Sequence, residues 1–413
     1  MKNMKPTYLD YAASAPTTYW GWDFNTGTNY NPNQPYALID QKQLKEAESI
    51  ALEALRSKTG HIIFGANATI MGKYLADLYS DFSEPCVISA FEHDCLAYIA
   101  KRECISPDMF VGKTIEGLKR WLEENKDKIK ESNETCSPCP CIWMWINNLT
   151  GQIMPVKGIG NLVHKYGMHM VCDLTAGLHN EPIPDNIDDW CDVAIWSGAK
   201  VGAEKGTGGI WFSDRAWKVH CIGNELPLHF GTPNVAQAMA QAQAMEHCQN
   251  EVKRCIGGKD GWEGRYIESK WNALWLRLVR GIGDIRTDYN DIVKSFHWGA
   301  RDFSLGIIGL YLPDINADAF QQFASTRQVY FSVFHSACAG QGDYRVAEAY
   351  GLTKEEAAHC IRLSFGYDTD EQDIDRFIEV LKEFRVMFCA DSDDVCEAKK
   401  ELAGRGVPVG LSE

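Results

Sequence analysis

The chain has no run approaching the roughly 18 to 20 consecutive apolar residues that a membrane-spanning helix requires, which argues against an integral helical membrane protein. It has no excess of positive charge either: 41 Lys and Arg stand against 56 Asp and Glu, a formal net charge of −15. A standing nucleic-acid partner needs a clustered basic surface, so that class of function is set aside. No basic and then apolar leader precedes Tyr8, and the expectation is a protein that stays in the cytoplasm. Repeats, low-complexity segments and flexible linkers are missing. Fifteen cysteines in 413 residues do not make a compact disulfide framework and read as reduced, mostly buried thiols. Cys136, Cys139 and Cys141 put three thiols in six residues, but a closed metal site takes four ligands. No fourth ligand is adjacent, and Pro138 and Pro140 suggest a constrained turn, so no metal is expected.

What is present is ordinary enzyme composition, 45% hydrophobic and 23% charged, in a chain long enough for a large and a smaller domain. Short apolar runs (Ile62 to Phe64, Cys86 to Ser89, Ile142 to Ile146, Met168 to Cys172, Val193 to Trp196, Gly209 to Phe212) alternate with stretches of helical spacing such as Leu44 to Leu55 and Val156 to Tyr166. That alternation predicts an α/β fold with a mostly parallel, doubly wound sheet. From about Val235 the pattern changes. A long helix is expected over Val235 to Lys253 and an amphipathic one over Tyr266 to Val279, followed by strand-like Phe303 to Leu312 and Ile361 to Phe365. In a terminal helix Ile374, Phe377, Ile378, Leu381 and Phe384 share one face, and Thr369 with Gln372 reads as its capping box. The expected division is a large domain over 15–245 and a smaller one built from 1–14 and 246–413.

The chemistry concentrates around Trp196-Ser-Gly-Ala-Lys200, followed by the glycine-rich stretch to Trp211. A lysine at a strand end, partly desolvated and close to another cation, becomes a nucleophile toward an aldehyde, the setting of Schiff-base chemistry with pyridoxal phosphate. Alone, Lys200 would read as a turn lysine. Its company changes that. Asp173 ends an apolar run and is expected at the carboxyl end of a buried strand, where it can hold the proton of a pyridinium nitrogen. Asn147-Asn148 close a second run, and Glu92-His93 a third. Asn67-Ala68-Thr69, between a strand and a helix start, turns backbone N–H groups and the Thr69 hydroxyl toward one anion-sized spot, to which Ser197 adds a second hydroxyl.

These residues resemble the cysteine desulfurases, of class V within the fold-type I pyridoxal-phosphate enzymes. Tyr8-Leu-Asp-Tyr-Ala-Ala-Ser-Ala-Pro16 is similar to the family's opening Tyr-Leu-Asp-Asn-Ala-Ala-Thr-Thr-Pro, and Glu92-His93 to its Glu-His. Asn147-Asn148 with Gly151 resembles Asn-Asn-Glu-Ile-Gly, Ser197-Gly-Ala-Lys200 resembles Ser-Gly-His-Lys, and Gly231-Thr232 resembles its phosphate turn. Ser336-Ala-Cys338 resembles the catalytic Ser-Ala-Cys, and Ile361-Arg362-Leu-Ser-Phe-Gly366 the Ile-Arg-Phe-Ser-Leu-Gly strand.

The resemblance implies a fold-type I α/β transferase with a seven-stranded-type sheet, acting as a homodimer in which Thr232 completes the partner's phosphate site. It implies pyridoxal phosphate on Lys200, held by Asp173, Asn148, His93, Ala68, Thr69 and Ser197, with His93 stacked on the ring. L-Cysteine would be bound by Arg362, with Asn148 and Ala13 also at the substrate. Lys200 would act as the base at the α-carbon, and Cys338 would take the sulfur as a persulfide for an acceptor protein. The chain also departs from the pattern: Ala176 replaces a glutamine, Ala199 the histidine before the lysine, and Ile70 a glutamate. Selenocysteine lysis, cystine C–S lysis, transamination and a non-catalytic scaffold stay open as alternatives.

Overall fold

The computed structural model describes residues 6–16, 31–79, 85–97, 115–135, 138–184, 186–220, 232–256, 269–283, 303–334 and 344–389. The strands in chain order are β1 (Thr7–Tyr8), β2 (His61–Gly65), β3 (Val87–Ile88), β4 (Pro140–Met144), β5 (His169–Asp173), β6 (Val193–Ser197), β7 (Gly208–Phe212), β8 (Ile307–Tyr311), β9 (Val329–Tyr330), β10 (Ser332–Val333) and β11 (Cys360–Ser364). The chain divides into two compact units. One comprises Met1–Ala13, Leu149–Gly151 and Cys255–Glu413; the other comprises Ser14–Asn148 and Gln152–Arg254. No described helix is long and apolar enough to cross a membrane.

The second of these units is built on a sheet of order β2-β7-β6-β5-β4-β3. Every residue of β4, β5, β6 and β7 is buried, as a sheet covered by helices on both faces demands, and this is why those strands read as unbroken apolar runs rather than alternating ones. Strands β3, β4, β5 and β6 are mutually parallel, whereas β7 is antiparallel to both β6 and β2. The stretch 198–207 between β6 and β7 is too short for a parallel crossover, which takes a dozen or more residues, so β7 has to turn back. Six strands pair among the described residues, one fewer than a seven-stranded sheet has; residues 98–114, after β3, lie outside them. Helix Leu38–Ala54 precedes β2, and helices Ala68–Tyr79, Ile115–Thr135, Val156–His164 and Val235–Ile256 fall between or after these strands.

The other unit carries the antiparallel sheet β10-β11-β8 and the parallel pair β1-β9. Phe320 of helix Ala317–Ser325 meets Phe331 at 5.0 Å, and Phe384 and Phe377 of helix Glu371–Phe388 at 5.2 and 5.9 Å between ring centroids. The expected apolar face of the last helix is indeed its buried face. Its cap is one residue away from the expected Thr369–Gln372 pair. Asp370 Oδ1 accepts from the N–H groups of Gln372 and Asp373, and Asp373 Oδ2 accepts from the Asp370 N–H. Thr369 instead accepts from the Gly366 N–H at 2.8 Å and shapes the turn before the helix.

Candidate active site

Because β3 to β6 are parallel, whatever follows each of them emerges at one sheet edge, the carboxyl edge where α/β folds place ligands. His93 follows β3, Asn148 follows β4, Asp173 ends β5, and Ser197 ends β6 with Lys200 just beyond. The antiparallel pairings bring the phosphate-type turn to the same edge, since Gly208 at the start of β7 is in register with Ser197 on one side and Gly65 on the other.

Lys200 is the last residue of a single 3-10 turn, Gly198–Lys200, held from several sides. The Gly198 N–H donates to the Thr207 carbonyl at 2.8 Å, and the Gly198 carbonyl accepts from the N–H groups of Val201 and Ala203. A Cβ on Gly198 would lie 2.1 Å from Thr207 Oγ1 and 2.7 Å from Gln241 Oε1, so only glycine lets the chain turn this tightly ahead of the lysine. Ala199, where the resemblance implies histidine, offers no side-chain ligand; its carbonyl accepts from the Ala15 N–H at 3.0 Å.

Asp173 is buried at the end of β5. Burial pushes its carboxyl up, against hydrogen bonding from Thr175, whose N–H reaches Oδ1 at 2.8 Å, and against the charges of His93 and Lys200. The structure therefore brings His93 and Lys200 each within electrostatic reach of Asp173. Nδ1 of His93 accepts from the Cys95 N–H at 3.2 Å, which leaves the proton of the neutral ring on Nε2. Asn148 is buried just past β4.

At the Asn67-Ala68-Thr69 turn the Asn67 side chain caps helix Ala68–Tyr79 by accepting from the Ile70 N–H at 3.1 Å. The N–H groups of Ala68 and Thr69 occupy the first two helical positions, ahead of any intrahelical partner. Gly208 passes so close to this turn that a Cβ there would stand 2.3 Å from the Ala66 carbonyl oxygen. Thr232 is exposed, shortly before helix Val235–Ile256.

In the unit containing the N-terminal residues, Arg362 of β11 is buried and donates from Nη2 to Asp10 Oδ1 and to Ser332 Oγ, both at 2.9 Å. Ala13 closes a turn by donating to the Asp10 carbonyl. Tyr11 stands where the resemblance has asparagine, and its hydroxyl donates to the Asp368 carboxylate. Cys338 lies outside the described residues, as do Gly231 and Cys136. Cys139, just before β4, and Cys141, within it, are buried, and burial followed by the Glu92 charge pushes the Cys141 thiol well up, out of the thiolate range. Among the described residues no group of three or more His, Cys, Asp or Glu could hold a metal ion.

Of three further residues at this edge, Glu92 is legible in the sequence only as part of the Glu92-His93 pair, and Cys95 and Gln241 have no signal there. Glu92 is fully buried and accepts from Ser89 Oγ at 2.5 Å and from the Met144 N–H at 2.6 Å, bracing the His93 turn against β4. Cys95 lies beside His93 with its thiol pushed up by burial, so it is no thiolate despite the neighbouring imidazole. Gln241 donates to the Gly208 carbonyl at 3.0 Å and buttresses the glycine turn from the long helix.

The residues fit the demands of pyridoxal phosphate. A buried carboxylate that burial biases toward neutrality is stabilised by a cationic ring nitrogen set against it, and a helix N-terminus beside hydroxyls suits a phosphate. Lys200 is close enough to Asp173 for its charge to act on that carboxylate.

Residues 86–256 match the family model for class V aminotransferases. A cysteine desulfurase of Pasteurella multocida is 24% identical over 401 residues, covering 91% of this chain and 92% of that protein. A probable mitochondrial cysteine desulfurase of Dictyostelium discoideum is 22% identical over 405 residues, covering 92% and 82%. Among solved structures, a NifS-like protein of Rickettsia africae superposes with a TM-score of 0.69 at 19% identity, over 92% of this chain and 99% of that one. A cysteine desulfurase of Thermococcus onnurineus superposes with a TM-score of 0.65 at 14% identity, over 92% and 94%. The chain has a fold-type I α/β architecture, its residues 86–256 resemble class V aminotransferases, and over nine-tenths of its length it is similar to cysteine desulfurases.

Proposed function

We propose that the protein is a pyridoxal phosphate-dependent cysteine desulfurase that converts L-cysteine to L-alanine and takes the sulfur onto Cys338 as a persulfide. The reading rests above all on the convergence of His93 and Lys200 on the buried Asp173 carboxylate at the carboxyl edge of the sheet. When bound, the cofactor supplies an electron sink for the substrate carbon.

The chain's own residues supply the rest. Asp173 holds a proton on the ring nitrogen, and the positive charge so formed relieves the cost of burying that carboxylate. The N–H groups of Ala68 and Thr69, with the Thr69 and Ser197 hydroxyls, hold the phosphate. Asn148 orients substrate and ring from the end of β4. Lys200, as a neutral amine, takes the proton from the α-carbon. His93 faces the ring and carries protons through Nε2. Arg362 holds the substrate carboxylate, with Ala13 alongside. The Cys338 thiolate attacks the substrate sulfur: an S–S bond forms as the C–S bond breaks, and the electron pair left on carbon takes a proton to complete the methyl group of alanine. In a cytoplasmic homodimer, Thr232 completes the phosphate site of the partner, and the persulfide passes to an acceptor protein.

Protein loaded with pyridoxal phosphate and given L-cysteine with a reductant should release alanine and sulfide in equal amounts, and Lys200→Ala should release neither. Failure to form alanine from L-cysteine, with turnover of a sulfur-free amino acid, would contradict the reading and favour an aminotransferase.

A further inference from the structure

The Arg362 guanidinium already carries a carboxylate. Its Nη2 donates to Asp10 Oδ1 and to Ser332 Oγ, each at 2.9 Å, and the Ser332 hydroxyl donates in turn to Asp10 Oδ1 at 2.8 Å. Strand register brings the three together: Ser332 of β10 lies directly opposite Arg362 of β11, and Asp10, just past β1, bridges in parallel to Ser364 at the end of β11. The Ser364 N–H donates to the Leu9 carbonyl and the Ala12 N–H to Ser364 Oγ, so the segment bearing Asp10 is tied down on both sides. Side-chain exposure is 1% for Arg362 and 18% for Asp10. Tyr8, two residues before Asp10, has its hydroxyl pushed up to about 12 by burial and then by the Asp10 charge, with Arg362 pulling the other way. The pair's charges are therefore felt by the groups around it.

A carboxylate gripped at two points uses Nη2 whichever edge of the guanidinium fork it takes, together with Nη1 on one edge or Nε on the other. A two-point grip on Arg362 therefore has to compete with Asp10 and Ser332 for Nη2. A carboxylate placed on Nη1 or Nε alone still lies beside the Asp10 negative charge, in a buried setting where like charges repel strongly. The bidentate hold expected of such an arginine conflicts with the network in which this one sits.

We propose that Asp10 is a positioning and specificity residue for substrate: with Ser332 it orients Arg362, neutralises it, and restricts an incoming amino-acid carboxylate to a one-point hold, so that substrate and product bind less tightly than the arginine alone would allow. The proposal rests on the desulfurase reading only in taking Arg362 as the carboxylate ligand.

Asp10→Asn keeps the shape and an acceptor oxygen but removes the charge. L-Alanine and ethylamine, which differ by the carboxylate, are titrated by calorimetry into the pyridoxal phosphate-loaded wild type and variant. Asp10→Asn should tighten L-alanine at least about fivefold and change ethylamine less than about twofold, the charge acting only on the carboxylate. The KM for L-cysteine should fall in step. L-Alanine binding that is unchanged or weakened overturns the proposal and leaves Asp10 as a strand brace. If Asp10→Asn does not fold, Ser332→Ala removes the other acceptor on Nη2 and should tighten L-alanine relative to ethylamine in the same direction; no selective change there overturns the proposal equally. A wild type that binds L-alanine no better than ethylamine removes Arg362 as the carboxylate ligand and the proposal with it, while formation of alanine from cysteine is judged by its own assay.

Discussion

At the residue scale, Asp173 shows stability given up for chemistry. Its folded-state pKa lies above the 3.8 of a free aspartate, chiefly through burial. A raised carboxylate binds protons more tightly in the folded chain, so without cofactor the contribution is unfavourable once pH rises through the folded value, and it stays so at neutral pH. Asp173→Asn should therefore melt higher than wild type as cofactor-free protein, and the loaded variant should lose at least about a hundredfold in turnover because an amide cannot hold the ring proton. A lower melting point with near-normal turnover would make Asp173 a structural cap. Gly198 makes the opposite point, since its Cβ position is already taken by Thr207 and Gln241. Gly198→Ala should cost about 1–3 kcal/mol in thermal unfolding and displace the turn that carries Lys200; an unchanged melting point and full cofactor retention would show that the turn yields. Lys200, Asp173, His93 and Asn148 could be picked out from the sequence because each follows a buried strand. The contacts of Glu92 and Gln241 could not, because their partners, the Met144 N–H and the Gly208 carbonyl, are 52 and 33 positions away.

At the scale of elements, the amino ends of β5 and β6, opposite the strand ends that lead to Lys200, are joined by a buried polar network. Asp192 accepts from His164 Nε2 at 2.8 Å, from the Met170 N–H at 2.8 Å and from Arg215, while His169 Nδ1 pairs with the Tyr79 hydroxyl at 3.1 Å. Burial lowers His169 from 6.5 to about 4, with Arg215 and His164 adding to the effect and Asp192 opposing it. Between those values the unfolded chain binds a proton that the folded chain does not, so stability falls as pH drops from 6.5 toward 4, by about 3 kcal/mol at most. Asp192 acts in the same direction at lower pH: its carboxyl lies below 3.8 because His164, His169 and Arg215 outweigh its burial, and that stability is lost as it is protonated. His169→Gln should flatten denaturant-measured stability across pH 6.5 to 4; an unchanged slope would place the titration elsewhere. The strands β2 to β7 were readable to within about two residues from apolar runs, since burial leaves little that is polar to interrupt them, whereas the strand-like Phe303 to Leu312 begins four residues before β8 and the two-residue strands β1, β9 and β10 gave no such run. The cap of helix Glu371–Phe388 was not. Thr369–Gln372 and Asp370–Asp373 both satisfy the capping pattern, and the choice falls to Asp370 because Thr369 is engaged by the Gly366 N–H.

At the scale of the whole molecule, an acidic chain with a mostly parallel sheet delivers its reactive side chains to one edge through strand direction alone, and that much of the fold follows from alternating apolar and helical segments. The pairing of Arg362 with Asp10 does not, because it joins residues 352 positions apart through the register of β1, β9, β10 and β11. The central claim is that sulfur leaves cysteine onto Cys338 while Lys200, Asp173 and Arg362 hold the substrate. Mass spectrometry after a single turnover of L-cysteine, on wild type and Cys338→Ser, tests it most directly. The account predicts one added sulfur on the wild-type peptide containing Cys338, with one alanine released, and no alanine from Cys338→Ser, because a serine hydroxyl stays protonated and attacks sulfur poorly. Sulfur found only on the peptide from Cys136 to Cys141, or full turnover of cysteine by Cys338→Ser, would contradict it.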